Sequence, residues 1–257
     1  VASPRVEAEE FVKHFGKMDR LGLFTGKKTV SAAARRRVAA ALKKRVRGTP
    51  LQHLLGEWPF FGYPFYVSKD VLIPRPETEV LAEEALKAAE GKKTPKILDL
   101  CTGSGCLAVS LTISRPECRM TASDISQKAL SVARKNSRRH KLEKKVTFVR
   151  SDLFGAFRQS GDKWDIIVTN PPYIPSAEIR TLSREVRRDP KLALDGGRSG
   201  LDLVEKILQD APRYLEDGGT LLMEIGKGQS RTLGKKYPSV RFIKDHSGVE
   251  RVLILKI

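Results

Sequence analysis

Asn170, Pro171, Pro172 and Tyr173 follow directly on the apolar run Trp164–Thr169. The run is short, branched and bounded by turn residues, as a buried strand is. Two prolines then stop it and hold φ at about −65°, while Asn170, preceding a proline, is pushed towards an extended conformation. Prolines carry no N–H, which disfavours tying their carbonyls into a sheet ladder. A side-chain amide and a backbone carbonyl are thus presented rigidly at a strand's C-terminal end, with an aromatic ring beside them. Ligands bind at that end of open α/β sheets. Two acceptors and a flat face suit a planar –NH2 group, whether it belongs to a nucleobase or to a carboxamide.

A second constellation, Asp99-Leu100-Cys101-Thr102-Gly103-Ser104-Gly105-Cys106, closes one strand and opens a helix. Small residues in such a turn let the backbone approach a ligand, and the helix N-terminus adds free N–H groups and a positive dipole. The spacing is not the G-x-G-x-x-G of dinucleotide sites. Asp124 ends the next strand about 20 residues on, where an acid grips ribose hydroxyls in this architecture. Ser151-Asp152-Leu153 ends a third strand, and Asp152 is placed to meet an adenine amino group. Each acid alone reads equally as a helix N-cap. Three such ends in order, converging on one crevice, favour a nucleoside-like ligand.

The elements that position these residues alternate from residue 76 onward. Helices are expected over 77–90, from Gly105, over 126–140 and over 201–215. Strands are expected over 96–100, 119–123, 146–150, 164–169 and 220–225, with two closing strands near 240–244 and 251–256. That order predicts an α/β fold with a doubly wound, mostly parallel seven-stranded sheet, the last two strands forming an antiparallel hairpin at one side. Residues 1–55 read as a helical domain, with Ser31 capping a helix over 32–47 whose apolar stripe is Val38, Leu42 and Val46. The aromatic segment from Trp58 to Val67, broken at Gly62-Tyr63-Pro64, reads as a β-hairpin within a linker over 56–75. A hydrophobic clasp is favoured there over a nucleic-acid stacking platform. The main domain then spans 76–257.

The 257 residues suffice for one large and one small domain, and 40% hydrophobic with 30% charged residues is ordinary for a globular protein. No apolar stretch approaches the roughly 20 residues of a membrane helix, and Glu7, Glu9 and Glu10 interrupt any signal-like start. The chain opens at Val1 without a methionine, which leaves room for a missing or processed leading segment. Cys101, Cys106 and Cys118 are an odd number without C-x-x-C spacing, which argues against a disulfide framework or zinc site and for a reducing compartment. The net charge is +18. It concentrates in residues 27–47, which carry nine bases and no acid, and again in 128–145. Solvated helix faces and docking on RNA explain this equally well.

With these residues in view, the chain resembles class I S-adenosylmethionine-dependent methyltransferases, and within them the HemK/PrmC family of release factor glutamine methyltransferases. The resemblance rests on motifs in family order. They are Gly48-Thr49-Pro50-Leu51-Gln52-His53-Leu54-Leu55-Gly56-Glu57, Ile73-Pro74-Arg75-Pro76-Glu77-Thr78-Glu79, the turn at 99–105, Asn170-Pro171-Pro172-Tyr173, and Ala193-Leu194-Asp195-Gly196-Gly197. It implies a Rossmann-like fold and methyl transfer from S-adenosylmethionine to the N5 amide nitrogen of a release factor glutamine, without a metal. It further implies that Asn170 and the Pro171 carbonyl accept the two N–H bonds of that amide, with Pro172 shaping the corner and Tyr173 packing on the amide plane. Cofactor contacts would fall on Cys101, Thr102, Gly103, Ser104, Gly105, Asp124, Asp152, Leu153 and Asn170. Two positions depart from the family. Cys101 replaces a glycine, which disfavours φ > 0 there, and Leu153 replaces a tryptophan found in some members.

By the same resemblance the N-terminal domain helps recognise the release factor, and the chain is a monomer of the bacterial cytoplasm or of an organellar matrix. Basic stretches allow a weak RNA or ribosome contact, and no membrane partner is expected. The enzymatic rival is an N6-adenine or N2-guanine methyltransferase on DNA or RNA, which shares the Asn-Pro-Pro-Tyr corner. The non-enzymatic rival is an RNA-binding protein with a degenerate methyltransferase fold.

Overall fold

The computed structural model describes residues 3–25 and 29–257. Lys27 and Lys28 of the first basic stretch lie outside the described residues. Four helices come first: α1 (Pro4–Gly16), α2 (Arg20–Thr25), α3 (Ala32–Val46) and α4 (Leu51–Leu55). Ser3 and Ser31 cap α1 and α3 by accepting the backbone N–H of Val6 and Ala34. Phe11 of α1 is buried against Ala41 of α3 and Leu51 of α4, with Phe15, Val38 and Trp58 packed around them.

The apolar stripe of α3 differs from expectation. Ala34 and Ala41 are buried, whereas Leu42 is 40% and Val46 84% exposed. Small alanines admit the bulky rings of α1, and this selects the 34–38–41–45 face. Arg45 completes that face. Its guanidinium donates to both carboxylate oxygens of Glu7 at 2.6 and 2.7 Å and to Glu185 at 2.6 Å. Arg35, Arg36, Arg37, Lys43, Lys44 and Arg47 are all exposed.

Strands β1 (Glu57–Phe60) and β2 (Tyr63–Tyr66) form the expected antiparallel hairpin. Phe60 and Phe65 are buried in the main core beneath α5 (Glu77–Ala88), so the aromatic segment is a clasp. Asn136, from a later helix, anchors it, accepting from Tyr66 N at 2.7 Å and donating to Tyr66 O at 3.0 Å.

The main sheet contains β3 (Lys96–Leu100), β4 (Arg119–Asp124), β5 (Val146–Arg150), β6 (Trp164–Thr169), β7 (Leu215–Glu224), β8 (Arg241–Lys244) and β9 (Glu250–Lys256). Their spatial order is β5-β4-β3-β6-β7-β9-β8. β5 through β7 are mutually parallel, and β9 runs antiparallel between β7 and β8. Helices α6 (Cys106–Ser114), α7 (Gln127–Arg139), α8 (Asp202–Asp210) and α9 (Gln229–Lys236) complete the wound fold. Alternation along the strands feeds two cores. Ile97, Ile166 and Leu222 face α5 and α6, while Leu98, Ile167 and Leu221 face α8 and α9.

Two boundaries moved for identifiable reasons. The expected helix over 201–215 ends as α8 at Asp210, followed by a 3-10 turn Ala211–Tyr214. Pro212 removes an N–H that a continuing helix needs. β7 therefore starts at Leu215, paired with Trp164 across an irregularity, rather than at Thr220. α9 was not anticipated, because its eight residues offer only Leu233 as a buried apolar side chain and include Gly234.

Candidate active site

The strand order reverses between β3 and β6, and ligands bind outside the carboxyl ends at such a point. Leu100 pairs with Thr169 in parallel register, so Cys101 and Asn170 leave the sheet side by side. The two sequence constellations thereby meet.

The 101–105 turn is built from left-handed residues: φ is 62° at Cys101, 56° at Gly103 and 77° at Gly105. Cys101 thus adopts the conformation its side chain disfavours, at a cost of about 1 kcal/mol. Thr102 N donating to Ser123 O at 2.9 Å and Gly103 N donating to Asp124 Oδ2 at 2.9 Å hold the turn in place. Leu153 departs in the same way, with φ at 46°. Gly105 does not line the crevice. A Cβ there would lie 3.0 Å from Ala133 Cβ, so its bareness lets α6 approach α7. Burial raises the Cys101 thiol and pushes the Cys106 thiol up to about 12, which leaves both protonated and unfit as nucleophiles.

One crevice is lined by Cys101, Thr102, Gly103, Ser104 and the acids Asp124 and Asp152, with Leu153, Asn170 and Pro172 completing it. Asp124 is not a helix cap, since Ser126 caps α7. Its Oδ1 accepts from Ser126 N at 2.8 Å and its Oδ2 from Gly103 N, each with a lone pair to spare. Those lone pairs suit ribose hydroxyls. The glycine-bearing turn, the acid beside it and apolar Leu153 fit a nucleoside with a polar tail.

Asp99 is fully buried below the turn. Its Oδ2 accepts from Thr102 Oγ1 at 2.5 Å and Ala108 N at 3.1 Å, while Oδ1 has no partner. Burial pushes this carboxyl up to about 7. The folded protein therefore keeps a proton that an ordinary aspartate at 3.8 has released. The resulting stability is complete below about pH 4 and lost as the pH rises through about 7. Asp99→Asn should flatten the fall in unfolding free energy between about pH 4 and 8 in urea titrations. Part of the slope will persist, because burial also pushes Asp189 up to about 6. An unchanged slope would place the titration elsewhere.

A second pocket adjoins the first. It is lined by Glu77, Pro171, Tyr173, Ile174, Glu224 and Arg251, and Leu72, Arg75, Asn170 and Ala193 border both. Asn170 thus stands on the wall between the crevice and this second pocket, the acceptor pocket, named for the hydrogen-bond acceptors Asn170 Oδ1 and Pro171 O that face it. Its Nδ2 donates to Thr78 Oγ1 at 3.1 Å, and Thr78 donates to Glu224 Oε2 at 2.6 Å. Tyr173 OH donates to Glu224 Oε1 at 2.9 Å. Burial raises both the Glu224 carboxyl and the Tyr173 phenol. Among the described residues nothing donates to Asn170 Oδ1 or to the Pro171 carbonyl.

The remaining motifs support this corner. Ile174 N donates to Leu194 O at 3.0 Å, and Gly196 N to Ile174 O at 2.8 Å. A Cβ on Gly196 would come within 2.7 Å of Tyr173 Cα and 2.8 Å of Pro172 O. Gly196→Ala must therefore displace the Asn-Pro-Pro-Tyr backbone. It should cost about 1–3 kcal/mol of stability and at least about tenfold in turnover, read by denaturation and steady-state assay. Arg75 donates to buried Asp189 at 2.7 Å, and Glu79 accepts from Phe61 N in the hairpin turn at 2.7 Å. Thr78 and Glu79 are thus tied to the site and to the clasp. Sequence reasoning missed Glu224 and Asp189. The signal for Glu224 is a lone acid within Leu221-Leu222-Met223-Glu224-Ile225, since such an acid seldom faces a core unpaired.

Among the described residues, no group of three or more His, Cys, Asp or Glu is arranged to hold a metal ion. No helix among them is long and apolar enough to cross a membrane. Residues 76–187 match the family model for the methyltransferase small domain, and residues 1–56 that for the PrmC N-terminal domain. The release factor glutamine methyltransferase of Chlorobaculum tepidum is 38% identical over 98% of this chain and 90% of its own length. That of Thermodesulfovibrio yellowstonii is 34% identical over 97% and 91%. A Pyrococcus furiosus methyltransferase structure superposes with a TM-score of 0.54 at 17% identity, over 87% of this chain and 98% of that one. The catalytic domain of human METTL16, solved with an RNA hairpin, gives 0.59 at 15% over 86% and 81%, a likeness of fold alone. With two family models in chain order and relatives matched over nearly their whole length, the chain belongs to the release factor glutamine methyltransferase family.

Proposed function

We propose that the protein methylates the side-chain amide nitrogen of a glutamine in peptide chain release factors, with S-adenosylmethionine as donor. The observation that carries the amino-group chemistry is the pair of unengaged acceptors, Asn170 Oδ1 and Pro171 O, in the second pocket beside the crevice. Kinship with release factor glutamine methyltransferases over nearly the whole chain selects a glutamine amide over a nucleobase. When bound, S-adenosylmethionine supplies a methyl group on a positively charged sulfur. Gly103, Ser104, Asp124, Asp152 and Leu153 would hold its nucleoside, and Cys101 and Thr102 the chain beyond it.

A carboxamide nitrogen is a poor nucleophile, because its lone pair is delocalised into the carbonyl. Asn170 Oδ1 and Pro171 O would each accept one of its N–H bonds. The two bonds fix the nitrogen's orientation and favour the positive charge that builds there as the new N–C bond forms. Tyr173, tethered through Glu224, would cover the amide plane. The extra proton departs after transfer, so no general base is required.

Residues 1–55 form the part we assign to release factor recognition, with 56–75 as linker and 76–257 as catalytic domain. The Arg45 pairs to Glu7 and Glu185 run from α1 and α3 to the segment that carries Pro190 and Ala193 into the crevice wall. We place the protein in the bacterial cytoplasm as a monomer. The exposed basic face of α3 would meet an acidic protein surface or, weakly, RNA.

The test is incubation with labelled S-adenosylmethionine and release factor, with DNA and rRNA in parallel. Label is expected in the release factor. Label in nucleic acid alone would select the nucleobase reading. Failure to bind S-adenosylmethionine by calorimetry would select the degenerate-fold reading.

A further inference from the structure

We propose that Glu224 and Thr78 are positioning residues that determine which end of the Asn170 amide faces the substrate. The inference rests on the reading of Asn170 as an acceptor for a planar –NH2 group. A side-chain amide can turn by half a rotation at almost no steric cost, exchanging its acceptor for its donor. If Nδ2 faced the acceptor pocket, N–H would point at N–H and the substrate would be repelled. Something must hold the amide the right way round, and the hydrogen bonds supply it.

Against the effect of burial, Arg251 draws the Glu224 carboxyl towards its ionised form, and an ionised carboxylate only accepts. Glu224 takes the single hydroxyl proton of Thr78 at 2.6 Å, and at its other oxygen the phenol proton of Tyr173 at 2.9 Å. Thr78 Oγ1, its proton committed, offers Asn170 only lone pairs. Asn170 must then spend Nδ2 on Thr78, at 3.1 Å, and Oδ1 is turned towards the pocket. Direction is passed from a buried carboxylate through one hydroxyl to the amide. The same carboxylate holds the Tyr173 ring, so one group orients both the acceptor and the stacking face. Glu224 is 1% exposed and Thr78 3% exposed, which removes water as a competing partner. Arg251 of β9 faces the carboxylate with opposite charge, and Glu77 of α5 faces it with like charge.

Three variants test the relay: Thr78→Val, which keeps the shape and deletes the hydroxyl, Thr78→Ser, which restores it, and Glu224→Gln, which makes the carboxylate an amide able to turn itself. Thr78→Val should lower kcat about tenfold, equivalent to one charge-backed hydrogen bond, with the S-adenosylmethionine Kd within about twofold of wild type by calorimetry. Thr78→Ser should recover most of the turnover. Glu224→Gln should lose a comparable amount, and the double variant Thr78→Val/Glu224→Gln should lose little more than either alone, because both act through one rotation.

A purely structural role predicts additive losses, with cofactor binding falling alongside turnover. Near-normal turnover in Thr78→Val, no recovery in Thr78→Ser, or additive losses would each overturn the relay. Should Thr78→Val not fold, Thr78→Ser and Glu224→Gln carry the test, since unimpaired turnover in Glu224→Gln also overturns it. Wild-type enzyme that labels nucleic acid instead of release factor would overturn the substrate reading. The order of the variants on that amino group would still decide the relay.

Discussion

Asn170→Ala is expected to lower kcat by about 10²-fold or more while changing the affinity for S-adenosylmethionine by less than about threefold. The asymmetry follows from where the side chain sits. The cofactor crevice is lined from four strand ends and keeps its turn and acids without Asn170. The acceptor pocket loses one of its two unengaged acceptors. That loss matters most in the transition state, when the amide nitrogen carries positive charge and its N–H bonds are most polar. Binding shared equally by ground and transition states would raise KM; interactions stronger at the transition state show in kcat. Single-turnover rates with calorimetry on the same variant separate the two. Near-normal turnover would sink the mechanism.

Asp124→Ala should act on the opposite partner. Its carboxylate accepts from Gly103 N and Ser126 N and keeps lone pairs that suit ribose hydroxyls. Removing it deletes the charge-assisted anchor of the left-handed turn and the acceptors for the sugar. Two such bonds amount to about 3 kcal/mol, so the S-adenosylmethionine Kd should rise about 10²-fold. Turnover at saturating cofactor should stay within about fivefold of wild type. Asp124→Asn, retaining one carbonyl oxygen, should fall between. A variant that binds cofactor normally would show that the ribose is held elsewhere.

Much of the site was legible in the chain because strand ends carry chemistry at fixed places. Once residues 96–100, 119–123 and 164–169 read as strands, the rules for parallel sheets brought Cys101, Asp124 and Asn170 to one edge, and the register of Leu100 with Thr169 matches this. Side-chain orientation was not legible. No local pattern says that Thr78, 92 residues before Asn170, would receive its amide, or that Glu224 would turn inward. The same limit explains α3. Val38 packs against α1 as periodicity expects, but the rings of α1 select the alanine face and leave Leu42 and Val46 exposed. Cys101 shows the reverse case: residue type argued against φ > 0, and tertiary bonds at Thr102 and Gly103 impose it.

The motifs Ile73-Pro74-Arg75-Pro76-Glu77-Thr78-Glu79 and Ala193-Leu194-Asp195-Gly196-Gly197 gain a shared physical meaning. The first sends Arg75 to Asp189, Thr78 to Glu224 and Glu79 to the hairpin. The second presses a bare glycine against the Tyr173 backbone. Both constrain the corner at residues 170–173, one through the Thr78 bond to Asn170 and one through the Gly196 contact with Tyr173. A corner built to read one planar amino group must be rigid at the level of a hydrogen-bond length, because misplaced acceptors lose much of their effect.

Fragment-ion mass spectrometry of a release factor treated with the wild-type protein and S-adenosylmethionine tests the central claim most directly. One added methyl group is expected, located on the side-chain nitrogen of a glutamine, with about 10²-fold less of it after equal early times with Asn170→Ala. Methylation at any other side chain, or of nucleic acid with the release factor unmodified, would contradict it.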